Sequence, residues 1–347
     1  SRANETGTDY GKAEVSLLQS VWRSSLAGYI LFAGLVVAYR LLRIYLRDTA
    51  DVTAEITAIS MIIAALVSFR FVQLTHSGKG AKFFLLLVGP LLFTVVGQNL
   101  HKLTGVPREF FIAILLAGIS AWAGFVYNES IAGARSSRQV TVILLSNTLG
   151  SFAGAVSFGY FIIPTFKLEI SFGVFAAIFA TSAVVLLLQD LPKISDRRLR
   201  GIGTVAIAAF VFLMLIPFFM THWYRVQIEA FAKRIVPDEQ LIASAETPQD
   251  LWALTEKKFH DELVYHRLLH NSHSMSGTFF PSRRYMKLMA YLGYMYSDNA
   301  ATALNIGFGT GLTAQALLEN PALNKLDVSD VTRDIEKLTR IIFESEP

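Results

Sequence analysis

Three closely spaced glycines near the C-terminal end are the clearest candidates for binding chemistry in this sequence. Gly307, Gly309 and Gly311 directly follow the short apolar run Thr302–Ile306, and a helical apolar pattern covers Leu312–Leu318. Glycines at such a turn let the backbone approach a ligand without a Cβ in the way. The pattern therefore predicts a strand, a ligand-binding turn and a helix, in that order.

An acidic residue stands where a nucleotide-binding fold would use one. A second strand is predicted at Lys325–Val328, Asp330 follows its end, and a helix is predicted from about Arg333 to Phe343. A carboxylate at this point can accept hydrogen bonds from ribose hydroxyls. Glycine turns alone are weak evidence, but their combination with Asp330 predicts a nucleotide-binding α/β fold. The three glycines and Asp330 are the predicted cofactor-binding residues.

Four histidines lie close together upstream of this motif, at His260, His266, His270 and His273. On a helix, the spacings of four and three from His266 would align three imidazoles on one face, as a metal site requires. The segment Leu263–Leu269 favours a strand at least as well, and on a strand His273 leaves the face shared by the other two. We therefore expect surface or capping histidines and predict no metal site.

The elements that must position these residues follow a strongly apolar region. Of the 347 residues, 53% are hydrophobic and 17% are charged, whereas soluble domains carry about a quarter charged residues. A helix needs about 20 mostly apolar residues to cross about 30 Å of hydrocarbon. Seven segments meet this requirement and are apolar on all faces rather than along one stripe. They are Ser24–Leu42, Ile56–Leu74, Phe83–Leu100, Phe110–Tyr127, Val140–Ile163, Ile170–Leu188 and Ile202–Met220.

Polar residues inside or beside these spans are candidate functional sites, because their burial in hydrocarbon is costly. Arg70 lies near the end of its span, where its side chain is expected to snorkel to the interface. Gln98, Asn99 and His101 are expected to cap another span, and Asn147 to bond between helices. The small residues of Ser146–Gly159, which are Gly150, Gly154, Ser157 and Gly159, predict a close helix–helix interface.

Charge and cysteine content narrow the function classes. The net charge is +4, but basic residues that flank membrane helices account for it without a nucleic-acid partner. Ten Lys and Arg residues flank the spans on the N-terminal side and eight on the other, which leaves the orientation undecided. The sequence has no cysteine, which excludes disulfides, thiolate zinc sites and iron–sulfur clusters.

The composition divides the chain into four parts. We predict a polar N-terminal segment (1–23), a seven-helix transmembrane domain (24–222), a helical connector (223–260) and a partial nucleotide-binding domain (261–347). In the connector, Trp223–Val236 is amphipathic and either lies on the membrane surface or continues a helix into water. Thr247 as N-cap and Pro248 at the first helical position predict a further helix that ends near His260.

The residues before the glycine turn carry a family resemblance. The sequence from Asn271 to Thr278 reads NSHSMSGT, and the sequence from Arg283 to Leu292 reads RRYMKLMAYL. With the glycine motif and the strand before Asp330, the stretch from about Val264 to Phe343 resembles the spermidine synthase family, which has the class I S-adenosylmethionine-dependent transferase fold. More narrowly, the chain is similar to bacterial membrane proteins that join a multi-span region to a spermidine-synthase-like domain.

This resemblance implies a ligand and a reaction. Gly307, Gly309 and Gly311 would line decarboxylated S-adenosylmethionine or a related nucleoside, and Asp330 would hold its ribose. In active members, a later aspartate deprotonates a diamine that displaces methylthioadenosine and receives the aminopropyl group. The sequence ends at Pro347, before the strand that would carry that aspartate. We therefore expect that more chain exists, that another polypeptide completes the sheet, or that the domain is not catalytic.

Three functions from different classes remain open. The chain could be part of a membrane-anchored aminopropyltransferase-like enzyme, a non-catalytic structural or assembly subunit of a larger membrane complex, or a transporter of polyamines or other solutes. Transport has the least support, because the spans lack a row of acidic residues for a polycation. The expected partners are the lipid bilayer, other membrane subunits or a chain that completes the C-terminal sheet, and the expected location is the bacterial inner membrane.

Overall fold

The computed structural model describes residues 16–46, 50–76, 79–103, 105–191, 201, 203–205, 207–210, 223–247, 250–271, 273–297, 301–332 and 335–345. The described residues of the apolar part are helical for most of their length. Its helices are α1 (Leu17–Leu42), α2 (Ala50–His76), α3 (Lys79–Gln98), α4 (Arg108–Ala132), α5 (Ser137–Val156) and α6 (Ile163–Asp190). A 3₁₀ turn (Leu100–Leu103) follows α3, and a π-helical segment (Ser157–Ile162) joins α5 to α6.

Four helices among the described residues are long and apolar enough to cross a membrane. They are Leu17–Leu42, Ala50–Arg70, Arg108–Ala132 and the stretch Ser137–Asp190, which contains the fifth and sixth predicted spans and is kinked at Lys167. The third predicted span corresponds to α3, in which the stretch Phe84–Gln98 is apolar. The seventh, Ile202–Met220, lies for the most part outside the described residues.

Helices α1 and α5 pack against each other through the predicted small-residue stretch. A Cβ added at Gly150 would lie 2.0 Å from the backbone oxygen of Ser25, and one added at Gly154 would lie 2.4 Å from that of Tyr29. Only glycine leaves room for this approach, in which packing rather than hydrophobic transfer brings membrane helices together. The predicted close interface is confirmed at Gly150 and Gly154, whereas Gly159 faces open space.

Aromatic side chains fill the centre of the helical bundle. The ring of Phe93 lies 5.3 Å from that of Phe172 and 5.1 Å from that of Phe175, and Trp122 meets Phe179 edge-on at 5.1 Å. These offset and edge-to-face arrangements are the ones that aromatic quadrupoles favour. The bundle therefore has a tightly packed aromatic core.

The second part of the chain mixes helices and strands. Helix α7 (Trp223–Ile235) leads into an antiparallel meander of β1 (Gln240–Glu246), β2 (Leu251–Phe259), β3 (Glu262–His270) and β4 (His273–Gly277). Helix α8 (Phe280–Met295) follows. The parallel pair β5 (Thr302–Ile306) and β6 (Lys325–Ser329) then alternates with α9 (Leu312–Leu318) and α10 (Ile335–Ser345).

The helix predicted from Thr247 to about His260 is wrong, because this segment forms strand β2. Thr247 does accept a hydrogen bond like that of a helix N-cap, because its Oγ1 accepts from the Asp250 backbone N–H at 2.9 Å. That bond closes the turn between β1 and β2 instead of starting a helix. The strand is apolar on both faces. Leu251 and Ala253 join the core shared with the bundle, while Trp252 and Leu254 pack against α10.

Helix α7 connects this sheet to the bundle. Ile228 and Phe231 belong to the same hydrophobic core as the bundle helices. Gln227 is fully buried, and its Nε2 donates to the Gln98 backbone oxygen at 2.5 Å and lies 3.1 Å from His101 Nδ1. The predicted capping group at the end of α3 is therefore completed by a side chain from α7. The connector prediction is right for α7 and wrong for its second half.

Candidate functional site: the glycine turn and its surroundings

The glycine turn forms directly after β5, as the sequence predicts. Gly307, Gly309 and Gly311 have φ angles of 84°, 54° and 80°, which are left-handed conformations that favour glycine. A Cβ at Gly307 would meet open space, whereas one at Gly311 would lie 2.8 Å from the Phe343 ring of α10. Gly307 and Gly311 therefore have different roles. Gly307 leaves the backbone accessible to a ligand, and Gly311 allows α10 to pack against the turn.

Asp330 holds this turn from the end of β6. Its Oδ2 accepts from the Phe308 backbone N–H at 2.6 Å, and its Oδ1 accepts from the Thr332 N–H at 2.6 Å. An ionised carboxylate has about four acceptor positions, so two are already used. The position of Asp330 beside the turn is as predicted. The sequence did not indicate that Asp330 would also bond to the backbone of the turn. A ribose would have to bond to the remaining lone pairs of the Asp330 carboxylate.

Further polar side chains surround the turn. Thr339 Oγ1 on α10 donates to the Gly309 backbone oxygen at 3.0 Å, and Thr310 is fully buried with its Oγ1 3.3 Å from Met286 Sδ. The Ser276 hydroxyl is buried, lies 3.6 Å from a Cβ built at Gly309, and has no hydrogen-bond partner in the part of the chain that the structure describes. Ser276 lies within the segment that carries the family resemblance.

The four histidines are spread over different environments. His260 has a φ of 49° in the β2–β3 hairpin turn, and His266 is buried on β3 with its Nε2 3.4 Å from Ser345 Oγ. His270 faces His273 across the β3–β4 pair and also lies 3.1 Å from the carboxylate of Asp250. Leu263–Leu269 is a strand, so the helical alignment does not form. Within the described ranges, no three His, Cys, Asp or Glu side chains are grouped to hold a metal ion.

A buried charge cluster at one end of the bundle was missed by the sequence analysis. Arg23 on α1 is 2% exposed, and its guanidinium lies 3.1 Å from Glu129 on α4 and 3.1 Å from Asp190 on α6. Its Nη2 also lies 3.3 Å from Gln189 Oε1. Each charged residue falls within two positions of a predicted span end, and alternating spans place all three on one side. That alternation is the signal that could have revealed the cluster.

A second polar cluster joins the opposite end of α1 to the meander. Arg43 lies 3.1 Å from Asp250, and Arg40 lies 3.8 Å from Glu246, whose Oε1 also accepts from the Leu168 N–H at 2.7 Å. The hydrogen bond from His270 is the main cause that lowers the pKa of Asp250 below its usual value. Burial raises the pKa of Glu246. The sequence did not predict this cluster either, because Arg43 was counted only as a basic residue flanking a span and Arg40, near the end of the first predicted span, was not considered.

The glycine turn and the two charge clusters occupy separate places in the fold. The turn can present open backbone to a ligand, whereas the clusters join elements of the protein to one another. Comparison with protein families, curated proteins and solved structures finds no match to this chain. The structure itself shows a helical region with four candidate membrane spans, followed by a small mixed α/β region with one antiparallel and one parallel sheet.

Proposed function

We propose that this chain holds a nucleoside-binding domain of the aminopropyltransferase type at a membrane, with the glycine turn as its binding site. The observation that carries the proposal is the left-handed glycine turn between two parallel strands, with Asp330 at the end of the second. This arrangement lets a ligand approach backbone N–H groups beside a carboxylate. The ligand class is decarboxylated S-adenosylmethionine or a related nucleoside, as the family resemblance suggests.

The helical region would anchor this domain in a membrane. We propose that α1 to α6 and the segment 202–220 form seven membrane spans, and that the membrane is a bacterial inner membrane. A cytoplasmic position of the α/β region would give the turn access to the nucleoside. Protease protection of the α/β region in sealed inverted and right-side-out vesicles tests this placement, and an external α/β region would contradict it.

Binding of methylthioadenosine to the purified full chain tests the nucleoside site. We expect saturable binding in isothermal titration that is lost in Asp330→Ala and kept in Asp327→Ala. Asp327 is the matched control, because it is an exposed aspartate on the same strand and pairs with Lys325 at 2.8 Å. Thermal unfolding of both variants separates a lost ligand contact from a lost fold. If the wild-type chain showed no binding at millimolar methylthioadenosine, the proposal would be refuted.

A specific observation favours the second function, that of a structural subunit. Several apolar side chains around the parallel strands are exposed, including Leu304 at 62%, Ile306 at 81% and Val331 at 97%. Parallel sheets are normally covered on both faces, so a further polypeptide could complete this one. Photo-crosslinking from Ile306 in native membranes tests this function, with the exposed Glu344 on α10 as the control position. Equal labelling of partners from both positions would count against it.

A further inference from the structure

A cleft of about 380 Å³ lies where the helical bundle meets the meander. Its walls come from the start of α6, from α7, and from β1 with the first residue of β2. Four charged residues line it, two cations (Lys167 and Arg225) and two carboxylates (Glu169 and Glu246). Its volume is within the range of about 300–1,000 Å³ that small-molecule sites occupy. The cleft is separate from the glycine turn, since none of its lining residues belongs to that turn.

The backbone is strained at the wall of this cleft. Lys167 interrupts α6 with φ 62° and ψ 172°, a conformation that is almost confined to glycine. Such a residue costs about 1–3 kcal/mol and persists only where its surroundings hold it. Here the Glu246 carboxylate accepts the N–H of Leu168 at 2.7 Å and lies 3.8 Å from Arg40. Strain of this kind clusters at ligand sites, so its position beside a cleft points to binding.

The position of the cleft across the membrane follows from the length of the helix that restarts at Leu168. From Leu168 to Asp190, α6 is about 35 Å long at 1.5 Å per residue, close to the hydrocarbon thickness of about 30 Å. Its first turn therefore lies at the level of the lipid headgroups. The ring centroid of Trp223 lies 4.9 Å from that of Phe172, one turn after Leu168, with the two rings tilted by 46°, and a tryptophan near this end is expected for an interfacial aromatic. Phe166 and Ile170 line the cleft and are about half exposed, at 48% and 56%.

The charges of the cleft select one class of ligand. We propose that it binds the headgroup of a zwitterionic phospholipid, with the phosphate between Lys167 and Arg225 and the ammonium against Glu169. Lys167 acts as a point charge on the phosphate, and the guanidinium of Arg225 has donors beyond the Nε that pairs with Glu229. The acyl chains lie over Phe166 and Ile170.

Two carboxylates among four charges argue against a purely anionic lipid. Glu246 is engaged by the Leu168 N–H and by Arg40, so it serves the strained backbone. Glu169 shares the wall with the two cations and would repel a headgroup that carried only negative charge. A primary ammonium can donate hydrogen bonds to Glu169, whereas a quaternary one cannot. The site should therefore prefer phosphatidylethanolamine to phosphatidylcholine and to phosphatidylglycerol.

Native mass spectrometry of the full chain, titrated with each of these three lipids in detergent, tests the proposal. We expect phosphatidylethanolamine to bind most tightly, and Lys167→Gly and Arg225→Gln each to weaken it roughly tenfold, as the loss of one charged hydrogen bond implies. Lys167→Gly also removes the backbone strain, so its melting temperature should not fall below that of the wild type. Lower lipid affinity without lower stability would be the signature of a binding site.

Lys233→Gln is the matched control, because Lys233 is an exposed cation on α7 outside the cleft. It should bind phosphatidylethanolamine like the wild type. Equal lipid binding by the wild type and both cleft variants would overturn the proposal. A preference for phosphatidylglycerol would overturn the zwitterionic assignment. Methylthioadenosine titrations of the same variants should be unchanged, so this site and the glycine turn can fail independently.

Discussion

The contact between α1 and α5 allows a sharp prediction for Gly150→Ala. The added Cβ would lie 2.0 Å from the Ser25 backbone oxygen, whereas ordinary contact begins at 3.4 Å. The two helices would have to separate by roughly 1.4 Å, and overpacking of this kind costs about 1–3 kcal/mol. Alanine is also favoured over glycine within a helix by about 1 kcal/mol, which opposes the loss. The measured loss of unfolding free energy should therefore be smaller than the steric cost alone.

Gly159→Ala provides the matched control, because Gly159 lies on the same continuous helical stretch and faces open space. It lies in the π-helical segment, where an added methyl group meets no clash, so it reports a glycine-to-alanine change without the steric cost. The difference in unfolding free energy between the two variants therefore isolates the steric cost. Denaturing-detergent titration in mixed micelles, followed by tryptophan fluorescence, measures both. Equal stability of Gly150→Ala and Gly159→Ala would refute the close packing of α1 against α5.

Three further perturbations address the polar contacts. Arg23→Met should destabilise the bundle by about 3–5 kcal/mol, because it leaves Glu129 and Asp190 without their buried cation. Arg340→Met, at an exposed arginine that pairs with Glu336 outside both proposed sites, should cost far less in the same titration. Asp250→Asn should lower the melting temperature at neutral pH. Because the pKa of Asp250 is lowered in the fold, its contribution is present above its ordinary pKa, and the difference from the wild type should shrink as the pH falls below about 4. Gln227→Leu should lower the melting temperature because it leaves buried partners at the end of α3 unsatisfied, and an unchanged value would show that water replaces those bonds.

Local signals explain why the C-terminal elements could be predicted. The strand before the glycines, the helix after them and the strand before Asp330 form within one or two residues of their predicted ends. Each is short, and glycine needs no distant partner to adopt a left-handed turn. The apolar spans could be predicted for a similar reason, because a helix in lipid satisfies its backbone hydrogen bonds within itself.

Contacts between residues distant in sequence explain the features that the sequence did not predict. Strand β2 was read as a helix because Thr247 and Pro248 are typical of a helix start, while the pairing with β1 and β3 that decides the matter is non-local. The cluster around Arg23 joins residues more than 100 positions apart. A charge at a span end is ordinarily solvated, and only the packing of α1, α4 and α6 makes this one buried.

Strand β2 also determines how the glycine turn relates to the bundle. Successive side chains of a strand point to opposite faces, so Ala253 packs into the core shared with α7 and the bundle while Trp252 and Leu254 pack against α10. Helix α10 in turn supports the glycine turn, through Thr339 and the Phe343 ring. A flexible tether would leave the turn free to move against the bundle, whereas here a continuous series of packed side chains runs from one to the other. The α/β region is therefore packed against the bundle and is not joined to it by a flexible linker alone.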